Sequence, residues 1–285
     1  MSLPDLSHLP DILVEPILRA ALIEDLGRAG DITSAAVIPA EARMAAVMAA
    51  RQPGVMAGGT VAALAFRLLD PGVETRIIIP DGAAVVPGDV VMTIEGPARS
   101  VLGAERVALN LACRLAGIAT ATAGLVAAAA PHRARITCTR KTTPGLRLLE
   151  KYAVRAGGGA NHRFGLDDAV LIKDNHIAVA GGAGIAIRRA RAHVGHLVKI
   201  EVEIDRLDQL DEVLEAGADA ILLDNMTPAE LAEAVARIGG RAITEASGRI
   251  TRETVGAVAA SGVDLISAGW LTHSAPILDL GLDMP

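Results

Sequence analysis

The residues best suited to chemistry lie in short polar runs, each of which directly follows an apolar stretch of the chain. These runs are Thr139-Arg140-Lys141, Lys173-Asp174-Asn175-His176, Glu203, Asp224-Asn225, Glu245-Ala246-Ser247 and Ser267-Ala268-Gly269. If the apolar stretches are parallel strands of a barrel, their carboxyl ends meet at one mouth, where catalytic groups gather. Any single run is typical of a solvated loop. Ionisable groups at five of the six ends indicate a functional site.

Positive charge is concentrated around the first of these runs. Between positions 133 and 163 the chain has one acid, Glu150, and eight Arg or Lys residues, although its formal net charge is −6. These bases are Arg133, Arg135, Arg140, Lys141, Arg147, Lys151, Arg155 and Arg163. Such a field suits the attraction of a small polyanion. Arg147, Lys151 and Arg155 are spaced by four and predict an exposed helix face. The candidates at strand or loop positions are Arg140, Lys141, His162 and Arg163.

Acidic residues follow on the downstream strands. Glu201 and Glu203 are two residues apart, so both point to one face of a strand. Inside a barrel that face is the lumen, where a charge is costly unless it is paired, and Lys173 or Lys199 could pair with it. Glu203 and Asp224 could hold Mg²⁺, which prefers hard oxygen ligands together with substrate phosphates. Their spacing is equally compatible with acids that only neutralise the basic residues.

The last two predicted strands end in small residues. Ser247-Gly248 follows one of them and Gly269 follows the other. In β/α barrels the loops after the last strands often bind phosphate through backbone N–H groups. This position in the strand order predicts a phosphate site.

The elements that must position these residues fall into two halves. In the first half, Ile12 to Leu26 has apolar residues at helical spacing, and Gly103 to Ala130 predicts one long helix or two. Short strands separated by Gly and Pro turns are predicted at Met44–Ala50, Val73–Ile79, Ala83–Val86 and Val90–Glu95. This pattern favours a small α+β module.

In the second half, strands alternate with helices. The predicted strands are Ala134–Cys138, Ala169–Ile172, Val198–Val202, Ala220–Leu223, Ala242–Thr244 and Val263–Ile266. The predicted helices are Arg206–Ala216, Pro228–Ile238 and Arg252–Ser261, with Asp205, Thr227 and Thr251 where N-caps belong. This alternation implies a parallel sheet, and six such units favour a closed or nearly closed β/α barrel over an open doubly wound sheet.

Composition excludes several classes of protein. With 51% hydrophobic and 21% charged residues, the chain can bury a large core and is not disordered. Its pI near 5.7 and few aromatic residues argue against nucleic-acid binding. Two cysteines, Cys113 and Cys138, make no disulfide framework, which favours a reducing cytoplasm. We see no signal peptide, and the longest uncharged stretch, Leu115 to Ala130, is too short to span a membrane.

Several longer motifs resemble those of a known protein family. The runs concerned are Glu24-Asp25, Gly30-Asp31-Ile32-Thr33, Glu105-Arg106, Thr139-Arg140-Lys141-Thr142-Thr143-Pro144-Gly145-Leu146-Arg147, Gly157-Gly158-Gly159-Ala160-Asn161-His162-Arg163, Ile172-Lys173-Asp174-Asn175-His176, Val202-Glu203-Ile204-Asp205, Leu223-Asp224-Asn225-Met226 and Leu271-Thr272-His273-Ser274. In this order the sequence resembles the quinolinate phosphoribosyltransferases, also called nicotinate-nucleotide pyrophosphorylases (carboxylating). It departs from the family pattern in Glu245-Ala246-Ser247-Gly248-Arg249, where relatives often have Ser in second place and Gly in last.

The resemblance implies a fold and an assembly. The expected fold is α/β, an incomplete, about seven-stranded β/α barrel with an N-terminal α+β open-faced sandwich. The expected domains are the sandwich at 1–115, the barrel at 116–270 and a tail at 271–285 that returns to the N-terminal domain. The expected assembly is a homodimer with active sites at the subunit interface, and neither nucleic acid nor membrane is expected as a partner.

The resemblance also implies a reaction in which quinolinate and phosphoribosyl pyrophosphate give nicotinate mononucleotide, pyrophosphate and CO₂, as a step of NAD biosynthesis. The catalytic residues would be Lys141, Lys173, Glu203 and Asp224. The quinolinate carboxylates would be bound by Arg140, His162 and Arg163, with Lys173 between the two substrates. The phosphates would be bound by Lys141, Ser247, Gly248 and Gly269, and the substrate-binding set would be completed by Thr139 and Ala268. Glu203 and Asp224 would anchor the ribose, partly through Mg²⁺, and no organic cofactor is expected.

Arg106 is the least obvious member of this set. Its spacing alone favours a helix-surface residue paired with Glu105 or another neighbour. The family correspondence instead implies that it completes the quinolinate pocket of the neighbouring subunit.

Two alternatives remain open. One is a paralogue found with molybdate transporters, which shares the fold, although the complete Arg140–Pro144 and Lys173–His176 runs argue against it. The other is a Schiff-base aldolase that uses Lys173 or Lys199, which the many arginines disfavour.

Overall fold

The structure, a computed structural model, describes Leu6 and residues 9–284. Its helices are α1 Asp11–Leu26, α2 Ile32–Val37, α3 Gly59–Leu69, α4 Ala98–Ala129, α5 Arg147–Ala156, α6 Asp174–Ala180, α7 Ala183–His193, α8 Leu210–Glu215, α9 Pro228–Ile238, α10 Val255–Ala260 and α11 Trp270–His273, with a 3₁₀ turn at Leu207–Gln209. Its strands are β1 Arg43–Ala50, β2 Gly54–Val55, β3 Glu74–Ile77, β4 Ala84–Val85, β5 Val90–Pro97, β6 Arg135–Thr137, β7 Val170–Ile172, β8 Ile200–Ile204, β9 Ala220–Asp224, β10 Ile243–Ser247, β11 Leu265–Ser267 and β12 Leu280–Asp283.

The described residues form two compact units. The first contains the chain up to Ala123, Thr142–Gly158 and residues 272–284, and the second contains Gly124–Lys141 and Gly159–Leu271. The chain therefore passes from one unit to the other within α4, on both sides of α5 and within α11. The domain boundaries given above stay a prediction.

The first unit is the predicted α+β module. Its antiparallel sheet has the order β12-β1-β5-β3, so the strand nearest the C-terminus is the edge strand next to β1. Two shorter strands, β2 and β4, pair separately. Helix α1 buries Val14, Leu18 and Leu22 on one side, at the spacing from which a helix was predicted.

The C-terminal tail lies very close to helix α4. Leu278 N–H donates a hydrogen bond to the Cys113 carbonyl at 3.0 Å. A Cβ placed on Gly117, one turn further along, would lie 2.1 Å from Pro276 O and 2.8 Å from Ile277 Cα. Only a residue without a side chain allows this approach, because the opposing atoms are backbone and cannot rotate away.

Helix α4 is also the one helix in the described part of the chain that is long and apolar enough to cross a membrane. Its most apolar stretch is 56% buried in the structure. Ala104, Ala108, Ala112 and Ala116 are completely buried at every fourth position. Such a row of small residues is typical of a core helix that packs closely against its neighbours.

The second unit contains a parallel sheet of six strands, among the residues described, in the order β6-β11-β10-β9-β8-β7. A single parallel bridge between Thr137 and Ala160 extends it on the free side of β6. The predicted incomplete β/α barrel is therefore confirmed, with one difference. The seventh position is a bridge of one residue pair rather than a strand, and the sheet is open between Ala160 and β7.

The alternation of buried and half-buried residues along β8 indicates which side chains point into the barrel. In β8, Ile200, Val202 and Ile204 are buried on the face that the helices cover. Glu201 and Glu203 therefore point inward, as predicted. The register pairs Glu203 with Leu222, Leu222 with Glu245, and Glu245 with Leu265, so inward positions form a continuous layer.

Two of the three predicted N-caps, Thr227 and Thr251, are confirmed by their hydrogen bonds. Thr227 accepts from Glu230 N–H at the start of α9, and the Glu230 carboxylate accepts from Thr227 N–H in return. Asp205 is not a cap, because the Gln209 side chain takes its backbone N–H where the 3₁₀ turn begins. Thr251 does make the contacts of a cap, one turn before α10: its hydroxyl accepts from Thr254 N–H at 3.3 Å, and its carbonyl accepts from Val255 N–H at 3.0 Å.

The exposed helix face predicted for α5 is wrong at its centre. Arg155 is exposed and Arg147 is half-buried, but Lys151 is completely buried. The adjacent Glu150 is also fully buried and forms a 2.7 Å ion pair with Arg114 of α4. Helical spacing identifies residues that share a face, but it does not say that the face meets solvent.

The close approach of the C-terminal tail to α4 leads to a testable prediction about Gly117. Gly117→Ala should lower the free energy of unfolding by about 3 kcal/mol, because its methyl group would overlap backbone atoms. Gly124→Ala is the matched control, since a Cβ there meets nothing within 4 Å in the same helix. It should raise stability by about 0.5–1 kcal/mol through helix propensity. Denaturant titration of both variants tests this, and equal effects would contradict it.

Candidate active site

The strand ends of the second unit meet as predicted. Asp224 and Ser247 are register partners at the ends of β9 and β10, and Ser267 and Thr137 are partners at the ends of β11 and β6. The polar runs that follow these strands therefore start from one end of the barrel. Thr139 lies just beyond β6, where its hydroxyl accepts a hydrogen bond from Lys141 N–H at 3.1 Å.

Two arginines lie close together at this end. The pKa of Arg163 is lowered by burial and by the positive charge of Arg140. One terminal nitrogen of Arg163 donates to Ala169 O at 3.1 Å, while its buried Nε has no hydrogen-bond partner among the described residues. Two like charges held together in a half-buried place favour binding of an anion, which relieves their repulsion.

Lys173 contacts one of the predicted acids. Its Nζ lies 2.6 Å from Glu203 Oε2, since Ile172 and Val202 are register partners and the next residues face the same way. Lys199 is not part of this pair, because its ammonium group contacts Asp219 at 3.1 Å. Of the two lysines considered as partners of the inward acids, the structure therefore selects Lys173.

The other inward acid, Glu201, contacts His162. The distance from His162 Nε2 to Glu201 Oε2 is 2.9 Å, and Glu245 Oε1 lies 3.7 Å from the same nitrogen. Glu245 is only 1% exposed. Burial and the negative charge of Glu201 raise its pKa to about 7, although His162 and Ser267 act in the opposite direction.

Sequence reasoning did not find this cluster of His162, Glu201 and Glu245. Glu245 was noted only as part of a polar run after a strand, whereas the structure places it within β10. Its spacing of two residues from Ser247 was the available signal, because it puts both side chains on the inner face.

The ends of β9 and β10 approach each other closely. Asn225 N–H donates to Ser247 O at 2.9 Å, and Asn225 Nδ2 donates to Asp224 Oδ2 at 2.6 Å. Gly248 has φ of +106°, and a Cβ there would lie 2.3 Å from Asn225 Oδ1. A glycine is therefore required at this position by both conformation and space. Arg249, at the departure from the family pattern, also has a positive φ of 48°.

After β11, fewer backbone N–H groups are available to bind phosphate than expected. Ala268 is buried, and its N–H donates to Thr137 O at 3.0 Å. That N–H is therefore already used within the barrel. Gly269 follows as a half-buried residue beyond the sheet.

Glu203 and Asp224, the predicted metal ligands, lie on neighbouring strands with half-buried side chains. Two carboxylates of this kind fit Mg²⁺ when substrate oxygens and water supply the remaining ligands. Among the described residues, the one group of three close His, Cys, Asp or Glu ligands is a different set, namely His162, Glu201 and Glu245.

Arg106 lies in the part of α4 that belongs to the first unit. It is exposed, and the adjacent Glu105 is half-buried. Their helical positions agree with the predicted long helix.

Comparison with known proteins matches both units. The family model described as "Quinolinate phosphoribosyl transferase, N-terminal domain" matches residues 31–116, and the corresponding C-terminal domain matches residues 118–283. Structural similarity is equally extensive. NadC from Streptococcus pyogenes is 41% identical with a TM-score of 0.93, covering 98% of this chain and 99% of that one. The nicotinate-nucleotide pyrophosphorylase from Francisella tularensis is 36% identical with a TM-score of 0.93, covering 98% of each chain.

Curated relatives give the same result. The probable nicotinate-nucleotide pyrophosphorylase [carboxylating] of Bacillus subtilis is 44% identical over 271 residues, which are 95% of this chain and 93% of that protein. The nicotinate-nucleotide pyrophosphorylase [carboxylating] of Mycobacterium leprae is 45% identical over 275 residues, with 94% and 95% covered. Because these matches run through both units and nearly the whole of each relative, the chain belongs to the quinolinate phosphoribosyltransferase family.

Proposed function

We propose that this protein transfers the phosphoribosyl group of phosphoribosyl pyrophosphate to quinolinate and releases pyrophosphate and CO₂, giving nicotinate mononucleotide. The observation that carries this proposal is the pair of neighbouring guanidinium groups of Arg140 and Arg163 at the barrel end. Quinolinate has two carboxylates on adjacent ring carbons, and a planar guanidinium can bind a carboxylate with two hydrogen bonds. A substrate with two carboxylates therefore suits the two neighbouring positive charges.

The first step needs no nucleophilic side chain. The lone pair of the pyridine nitrogen forms a bond to ribose C1, while the bond from C1 to pyrophosphate breaks and its electrons leave with pyrophosphate. Lys141 and the loops at Ser247-Gly248 and Gly269 bind the phosphates and stabilise the charge that develops there. Glu203 and Asp224 hold the ribose hydroxyls and would hold Mg²⁺, which when bound neutralises charge on the leaving group.

The second step is loss of CO₂. The new N–C1 bond gives the ring nitrogen a positive charge next to the carbon that carries the C2 carboxylate. When the bond to CO₂ breaks, its electron pair stays on C2, beside that positive nitrogen, and a proton then replaces CO₂. The substrate stabilises its own carbanion, so this mechanism uses no organic cofactor.

Lys173 has a place between the two substrates in this scheme. Its contact with Glu203 fixes the ammonium group at the inner wall of the barrel. The same contact argues against the aldolase alternative, because a Schiff-base lysine must present a neutral amine. Lys199, the second aldolase candidate, is also paired with a carboxylate.

The proposed assembly is a homodimer in which Arg106 reaches the quinolinate pocket of the partner subunit. Its exposed position on α4 supports this, since it is available to another chain. The proposed location is the cytoplasm, which two cysteines without a disulfide and the bacterial relatives support. Incubating the protein with quinolinate, phosphoribosyl pyrophosphate and Mg²⁺, and measuring nicotinate mononucleotide, tests the function directly.

Substrate choice gives the first functional prediction. Nicotinate lacks the C2 carboxylate and would leave a half-buried arginine without its anion. We expect kcat/KM for nicotinate to be lower than for quinolinate by about 10⁴-fold or more. As a control, benzene-1,2-dicarboxylate has both carboxylates and no ring nitrogen, so it should inhibit competitively without reacting. Comparable turnover of nicotinate and quinolinate would contradict the assignment of Arg140 and Arg163.

The second functional prediction concerns metal. Chelation should abolish turnover, and Asp224→Asn should weaken binding of phosphoribosyl pyrophosphate, with Mg²⁺ present, more than binding of quinolinate. Calorimetric titration of each ligand measures this. Asp208→Asn, an exposed carboxylate on the 3₁₀ turn, is the control and should change neither affinity. Equal losses for both ligands would mean that Asp224 has a structural role.

The third concerns Arg106. The homodimers of Arg106→Ala and Lys173→Ala should both be nearly inactive. After subunit exchange, about half of the dimers are hybrids, and each hybrid has one site free of both substitutions, which restores roughly a quarter of wild-type sites. Mixing Lys173→Ala with Glu203→Gln is the control, because both positions belong to the same chain's site and no site is restored. If the first mixture stays inactive despite verified exchange, Arg106 does not act across the dimer.

A further inference from the structure

Both ring nitrogens of His162 are engaged by the protein. Nδ1 accepts a hydrogen bond from Arg163 backbone N–H at 2.8 Å, and Nε2 lies 2.9 Å from Glu201 Oε2. A nitrogen that accepts a hydrogen bond from an N–H group carries no hydrogen itself. These hydrogen bonds place a ring proton on Nε2, which donates to the Glu201 carboxylate, and none on Nδ1.

This arrangement fixes Arg163 at two points. His162 accepts its backbone N–H, and Ala169 O accepts from one terminal nitrogen of its guanidinium group at 3.1 Å. The buried Nε–H remains directed to a group that the protein does not supply. A guanidinium held in this way needs little reordering when it meets a carboxylate, which strengthens binding.

Glu201 holds the opposite side of the imidazole. Its side chain is 13% exposed and that of His162 is 12% exposed, so solvent competes little with their contact. Glu245 lies further from the ring at 3.7 Å, and its Oε1 makes no hydrogen bond in the described structure. The two glutamates therefore differ: Glu201 accepts the Nε2 proton, and Glu245 lies beside this contact without sharing it.

We infer that His162 and Glu201 are positioning residues for quinolinate, in which Glu201 fixes the Nε2–H form of His162 and His162 in turn fixes Arg163. This inference rests on the proposed function and changes one part of it. The family resemblance implies that His162 binds the carboxylates directly, whereas the hydrogen bonds assign it to an indirect role through Arg163.

Two substitutions at His162 separate these roles. An Asn side chain ends near the place of Nδ1 and can still accept from Arg163 N–H, whereas a Gln side chain ends near the place of Nε2. His162→Asn should therefore keep KM for quinolinate close to wild type. His162→Gln should raise it by about tenfold or more, as expected when a binding group is misplaced. In both variants KM for phosphoribosyl pyrophosphate should be unchanged, which a general loss of structure would not give.

The position of the ring proton has its own test. In ¹⁵N spectra near neutral pH, His162, identified by its absence from the His162→Asn spectrum, should show an unprotonated Nδ1 and a protonated Nε2. Glu245→Leu should leave this pattern unchanged, because it removes only the more distant carboxylate. Adding Glu201→Leu removes the carboxylate that accepts from Nε2, so only the Arg163 N–H still favours the Nε2–H form, and part of the ring population should shift to the Nδ1–H form.

The inference is overturned if His162→Gln preserves KM for quinolinate better than His162→Asn does, or if the wild-type ring is protonated on Nδ1. The spectra need no substrate, so they test the contacts separately from the reaction. A wild-type protein that does not convert quinolinate but shows the Nε2–H form would overturn the proposed function and leave the positioning contacts standing. An imidazolium ring with no turnover would overturn both.

Discussion

The barrel end of the second unit holds two arginines close enough to repel each other. Arg140 and Arg163 are close enough for the charge of one to lower the pKa of the other, in a place where burial already disfavours the cation. The nearby carboxylates of Asp168 and Glu201 act against the lowered pKa of Arg163 and so offset part of this repulsion. The hydrogen bond from Arg163 to Ala169 O and the contact with His162 hold the Arg163 side. The proposed dianionic substrate would relieve the remaining repulsion.

Two acids on the inner wall of the barrel are paired with basic side chains. Glu203 pairs with Lys173, and Glu201 pairs with His162, each at a distance below 3 Å. Glu245 has no such partner and is nearly fully buried, and its raised pKa favours the neutral acid. A third carboxylate that stayed ionised here would weaken the attraction for an anion. By raising the pKa of Glu245 to about 7, burial reduces the negative charge that this residue contributes near neutral pH.

The sequence predicted which polar residues lie near the carboxyl ends of the strands, because each follows a buried apolar run, although Glu203, Asp224 and Glu245 belong to the strands themselves. Lys173 and Glu203 could be matched in this way, since consecutive strands pair with each other. His162 and Glu245 could not, because their meeting depends on the lateral register across several strands and on a bridge of one residue pair. The exposed position predicted for Lys151 was wrong for a related reason. Local periodicity does not reveal which faces of a helix are covered by other parts of the chain.

The departure from the family pattern at Arg249 has a physical counterpart in the structure. Its φ of 48° is the left-handed conformation that glycine adopts freely and that costs other residues roughly 1 kcal/mol. The loop keeps this conformation because it is fixed just before, where Gly248 touches Asn225 and Ser247 O accepts from Asn225 N–H. The constraint that matters for this loop is therefore at Gly248, where no Cβ fits. The Arg249 side chain is exposed, so it can point to solvent in spite of the positive φ.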